Sequence, residues 1–141
     1  YSIPQLFTVY VLCSMEKVLR ILFMEHSVPI RERMAELISE SINEVEIHHA
    51  DRADEALSKL RDHQPDVLFV DSNFRAPVLS EFIATAKREK PELHVVVVYI
   101  QLNESQMEKY KAAGAADFLD KYEQFDQVAG LLHRFNRNRG L

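Results

Sequence analysis

The segment HVVVVYI at residues 94–100 constrains this chain more than any other stretch. A β-branched run that is apolar on both faces has no side to offer to water. As a strand it must be covered above and below, which is the situation of a central parallel strand. Four more runs of strand length accompany it: VLRILFM (18–24), VEIHHA (45–50), PDVLFVD (65–71) and ADFLD (116–120). The segments between them repeat apolar residues at helical spacing instead. Ile30, Met34, Leu37, Ile38 and Ile42 share one face in and just after 30–41, and Ala53, Ala56, Leu57 and Leu60 share one in 51–63.

Start and stop signals fit this division. Asp51 is placed to cap the second helix, and Pro77 to sit in the first turn of a third over 77–90, closed by Pro91. Asn103, with Gln106 three residues on, opens a fourth over 103–114, and Gly114 stops it. A final amphipathic helix is expected over 125–137, basic near its end, where positive charge suits the helix dipole. Five strands alternating with five helices predict an α/β fold, a parallel sheet with helices on both faces and right-handed crossovers. No composition break, Gly/Ser linker or repeat divides residues 15–141, so they read as one domain.

Composition narrows the function. With 47% hydrophobic and 28% charged residues, the chain has the make-up of a globular protein with material for a core. Its net charge of −5, from 22 acidic against 17 basic residues, speaks against a nucleic-acid surface. The lone Cys13 builds neither a disulfide framework nor a cysteine metal cluster, which fits a cytoplasmic home. The apolar stretch 6–12 is far shorter than the roughly 20 residues of a membrane span. It also lacks the basic start of a secretory signal. Residues 1–14, upstream of Met15, are therefore either an added N-terminal extension or an extra strand or dimer-forming arm.

In an open parallel sheet, ligands bind beyond the carboxyl ends of the strands. Glu25 and His26 follow the first strand, Asp71 ends the third, Tyr99 and Ile100 close the fourth, and Lys121 follows the fifth. Two carboxylates, an imidazole and a lysine would thus converge on one edge, a polar site suited to a cation and a phosphate-sized guest. His48 and His49 are adjacent on a strand and point to opposite faces, so they cannot form one site. With His63, His94 and His133 they carry no functional reading, and Met24, Met34 and Met107 read as packing.

Over residues 17 to 137, this order and spacing resemble the response-regulator receiver domain of the chemotaxis-regulator kind. The resemblance implies a flavodoxin-like, doubly wound sheet with strand order 2-1-3-4-5. It implies that Asp71, in VLFVDSNF, accepts a phosphoryl group and that Lys121, in AGAADFLDKY, acts beside it. Glu25 matches the first of two metal-binding acids, Asn73 the residue that lends a backbone carbonyl to the metal, and Phe118 the aromatic that swings inward on activation. The partners it implies are a histidine kinase or phosphotransfer protein and a downstream docking protein, with homodimerisation a further option. Neither nucleic acid nor membrane is among them, and the role is that of a signalling module, not an enzyme.

The departures bear on mechanism. His26 replaces the second acid, Tyr99 the small hydroxyl residue of the switch, Ile100 the alanine after it, and Tyr122 a proline; RAPVL (75–79) replaces the usual loop after the acceptor. Phosphoryl transfer depends on positioning and charge neutralisation, and Mg²⁺ favours oxygen ligands. An imidazole at position 26 removes a charge and an oxygen donor, so Mg²⁺ binding should be weakened, and a softer ion would suit it better. Glu25, one methylene longer than Asp, can still reach a metal directly or through water. Tyr99 places its hydroxyl several bonds further out, so a switch there needs a different geometry.

Three readings follow. One is a stand-alone receiver, phosphorylated on Asp71 in a phosphorelay and acting through the face of the fourth strand, fourth helix, last strand and last helix. Another is a degenerate receiver that docks independently of phosphorylation. The third, a flavodoxin-like cofactor-binding enzyme, is disfavoured because glycine occurs only at 114, 130 and 140, leaving no Gly-rich phosphate loop after the first strand. A hydrolase built on Asp71 and His26 lacks a GxSxG elbow.

Overall fold

A computed structural model describes residues 18–74, 78–123 and 125–139. Strands β1 (Leu19–Met24), β2 (Val45–His49), β3 (Val67–Asp71), β4 (His94–Tyr99) and β5 (Ala115–Asp120) form one parallel sheet ordered β2-β1-β3-β4-β5. They alternate with helices α1 (Val28–Ser41), α2 (Ala53–His63), α3 (Leu79–Glu89), α4 (Glu104–Ala113) and α5 (Val128–Asn138). The doubly wound architecture expected from the sequence is the one found. The order reverses at β1 and β3, so the carboxyl ends of these strands part there and leave a crevice.

Strand parity divides the core in two. Leu19, Ile21 and Phe23 of β1, Val67 and Phe69 of β3, and Val96 and Val98 of β4 meet Met34 and Ile38 of α1 and Val128, Leu131 and Leu132 of α5. The alternate residues, Leu22, Met24, Leu68, Val70, Val95 and Val97, meet Ala56 and Leu60 of α2 and Phe82, Ile83 and Ala86 of α3. This is why Val95 to Val98 can be apolar throughout: none exceeds 2% exposure. Each such side chain stabilises the fold by about 1.5–3 kcal/mol relative to leaving it in water. Helix α4 buries no residue; Tyr110 and Ala113 only lean on the core.

Several element boundaries differ from expectation for local reasons. Helix α1 begins at Val28, earlier than the expected 30, because the Ser27 hydroxyl accepts the Ile30 N–H and Pro29 fits the first turn. Asp51 does not cap α2: the cap is Arg52, without a side-chain bond, while the Asp51 N–H donates to Glu55. The stretch 125–127 is a 3-10 turn, so α5 starts at Val128. The capping box of Asn103 and Gln106 forms as expected. Gly114 stops α4 with φ +125°, where a Cβ would lie 2.7 Å from the Lys87 Cγ. Residues 1–14, Cys13 and Pro77 lie outside the described residues. Among those described, no helix is long and apolar enough to cross a membrane.

Candidate functional site

The chain leaves the sheet at Glu25 after β1, at Ser72 after β3 and at Lys121 after β5. Two of these exits are tied to a neighbouring strand: the Ser72 N–H donates to the Val98 carbonyl at 2.8 Å, and the Lys121 N–H to the Tyr99 carbonyl at 2.8 Å. The three exits bring three charged side chains into one buried cluster. Glu25, Asp71 and Lys121 are 3%, 5% and 8% exposed. The Lys121 Nζ donates to Glu25 Oε1 at 3.0 Å and to Asp71 Oδ2 at 2.9 Å. Asp71 Oδ1 accepts the Asn73 N–H at 3.0 Å, an Asx turn that fixes the carboxylate against the loop after β3. Ser27 donates its N–H to Glu25 Oε1 at 3.3 Å, and Arg31 donates to the Glu25 carbonyl at 3.1 Å.

One ammonium shared by two carboxylates leaves a surplus negative charge. Burial pushes the Glu25 carboxyl above its ordinary value, the bond from Lys121 pulls it down, and the Asp71 charge raises it again, the net shift being upward. Burial alone would lower the Lys121 ammonium, but its bonds to Asp71 and Glu25 outweigh that and hold it above the ordinary lysine value. Glu25 Oε2 is buried and makes no hydrogen bond. This orphaned oxygen, beside Asp71 and a surplus negative charge, fits the all-oxygen donor set that a hard divalent cation takes.

The other sequence-predicted residues sit around this cluster. His26 is exposed, and its ring stacks on Phe74 with centroids 4.7 Å apart and planes 9° apart. Its nitrogens do not close up with the Glu25 and Asp71 oxygens into a set within 4.8 Å. Asn73 is exposed and reaches Asp71 through its backbone. Tyr99 is partly buried; burial, then the carboxylates of Asp120 and Glu123, raise its hydroxyl above the ordinary tyrosine value. Phe118 is partly buried against the α2–α3 core, with the Lys111 ammonium 5.9 Å from its ring centroid. Ile100 and Tyr122 are 44% and 76% exposed. Sequence reasoning did not identify Ser27, Arg31 or Phe74. The Ser27–Pro29 start signal could have placed the first two, since it brings the first turn of α1 beside Glu25.

The family model for the response regulator receiver domain matches residues 21–133. The chain belongs to that family. Solved receivers have the same fold. The signal receiver domain of the response regulator NarL from Mycobacterium tuberculosis is 20% identical, with 86% of this chain and 98% of that one covered at a TM-score of 0.75. A CheY-like receiver domain protein from Methanospirillum hungatei is 17% identical, covering 87% and 97%, also at 0.75. The chemotaxis protein CheY4 of Vibrio cholerae is 22% identical, covering 83% and 98%, at 0.71. No curated protein sequence matches this receiver. Its place is in two-component signal transduction, where receivers interact with kinases and downstream effectors.

Proposed function

We propose that this receiver accepts a phosphoryl group on Asp71 from a histidine kinase or phosphotransfer protein and passes the signal on by docking to another protein in the cytoplasm, without substrate turnover of its own. The observation that carries this reading is the buried Lys121 ammonium shared between Asp71 and Glu25. In the transfer, an Asp71 carboxylate oxygen attacks the phosphorus of a phosphohistidine. The N–P bond breaks, an O–P bond forms, and the electron pair stays on the donor imidazole. Lys121, already bonded to Asp71 Oδ2, stands where the incoming oxygens need a cation, and it keeps Glu25 as a second partner. Mg²⁺, held by Glu25, Asp71 and the Asn73 carbonyl, would supply further charge neutralisation when bound. The added charge of about −1.5 to −2 draws on Lys121. That pull reaches β4 through the bond from the Lys121 N–H to the Tyr99 carbonyl. Tyr99 and Phe118, on the paired ends of β4 and β5, are the side chains next in line, and the weakly buried α4 flanks them.

A second reading, docking independent of phosphorylation, is favoured by His26, whose ring stacks on Phe74 where the family has an acid. Intact-mass measurement after incubation with a small phosphodonor and Mg²⁺ separates the two. The expected outcome is one added phosphoryl mass in the native chain and none in Asp71→Asn. No added mass in either, with a cognate kinase also failing to transfer, would leave the phosphorylation-independent reading.

A further inference from the structure

Another set of ligand atoms lies on the edge strand, two strands away from Asp71. Glu46 and His48 stand two apart on β2, so they face the same side of the sheet, toward α2, whose last residue is His63. The His48 and His63 rings stack with centroids 3.8 Å apart and planes 16° apart. Glu46 Oε1 lies 3.3 Å from His48 Nε2, yet this nitrogen is closed to solvent and makes no hydrogen bond. The other Glu46 oxygen accepts from Arg20 Nε at 3.0 Å, which fixes the carboxylate. One ligand atom from each of Glu46, His48 and His63 falls within a 4.8 Å span.

A buried ring nitrogen without a hydrogen bond is unfavourable, and a ligand that bonds it relieves that cost. The separation of 3.3 Å between Glu46 Oε1 and His48 Nε2 is the edge of a tetrahedron whose centre bonds both atoms at about 2.0–2.1 Å. Two imidazole nitrogens and a carboxylate oxygen form a donor set typical of zinc, while Mg²⁺ prefers oxygen throughout. Each lone pair lies in the plane of its ring, so shared coordination requires one ring to turn out of the stack. His63 is partly exposed at the end of α2, beside a cavity of about 440 Å³ that Asp62 and Gln64 also line, and can turn into it. Water can occupy the fourth position there.

We propose that Glu46, His48 and His63 bind a borderline divalent ion of the Zn²⁺ class, fastening the end of α2 to the edge strand independently of the Asp71 cluster. Zn²⁺ titrated against a chromophoric chelator should bind one to one, with excess Mg²⁺ failing to displace it. In the native chain, the ring resonances of His48 and His63 should move while those of His26, His94 and His133 stay. His48→Asn and His63→Asn, checked for fold by circular dichroism, should each weaken binding by at least the roughly 10–100-fold that even an outer-shell change costs at such sites. His49→Asn, on the opposite face of the same strand, should leave it unchanged. Absence of Zn²⁺ binding, equal affinity in His63→Asn and the native chain, or shifts confined to the other histidines would overturn the proposal.

Discussion

Lys121 and Lys90 are the same side chain, buried to nearly the same extent at 8% and 9% exposure, yet the fold shifts them in opposite directions. Lys121 lies at the carboxyl ends of the strands between two carboxylates, which hold its ammonium above the ordinary value of 10.5. Lys90, the C-cap of α3, donates its side chain to the backbone carbonyls of Gln64 and Pro65. Burial lowers it below 10.5, only partly opposed by the charges of Asp66 and Glu92. Carbonyl dipoles satisfy the protons of an ammonium without balancing its charge, whereas carboxylates do both. One lysine is therefore a fixed countercharge between two buried carboxylates, and the other is a structural peg.

Removing each lysine tests this contrast. Lys121→Met leaves two buried carboxylates without their cation and should lower unfolding free energy by about 3–5 kcal/mol in urea titrations. Lys90→Met leaves only carbonyls unpaired and should cost about 1–3 kcal/mol. A Lys90 loss equal to that of Lys121 would mean that charge pairing is not what distinguishes them.

His26→Asp adds a carboxylate beside Glu25 and Asp71, and isothermal titration should show Mg²⁺ affinity rising about tenfold, or 1.4 kcal/mol. Unchanged affinity would take position 26 out of the cation site. The smallest effect lies in alkaline stability profiles. Lys121, raised on folding, contributes stability that is present below 10.5 and lost as pH climbs through its folded value. Lys90, lowered on folding, carries a cost at lower pH that disappears as pH rises from its folded value to 10.5. The stability difference between native chain and variant should therefore fall with pH for Lys121→Met and rise for Lys90→Met. Parallel slopes would contradict the opposed shifts.

The sheet was legible because strand assignment depends on local pattern. Four buried valines in succession admit one environment, and Asn103, Gln106 and Gly114 mark the ends of α4 by backbone rules that act within a turn. The apolar period of α1 begins only at Ile30, while its start is set by Ser27 and Pro29, which carry no apolar signal. Asp51 failed as a cap because the neighbouring Arg52 took the capping position. Topology placed Glu25, Asp71 and Lys121 at one sheet edge, but the bond between Glu25 and Lys121 spans 96 residues and has no local signal. The histidines show the same limit. Parity separates His48 from His49, but it does not relate His48 to His63, which reaches it from the end of another element.

Local pattern in the chain is enough to set the alternation of elements, the faces that each strand buries, and the positions that reach the carboxyl edge of the sheet. Those follow from hydrophobic period and backbone geometry, which act over a few residues. Tertiary structure decided that Lys121 sits between two acids, that His26 lies flat against Phe74 outside that cluster, and that Glu46, His48 and His63 share one side of β2 and the end of α2. Electrostatic character is set by whatever charge or dipole stands within a few ångströms, and only the folded chain brings residues distant in sequence that close.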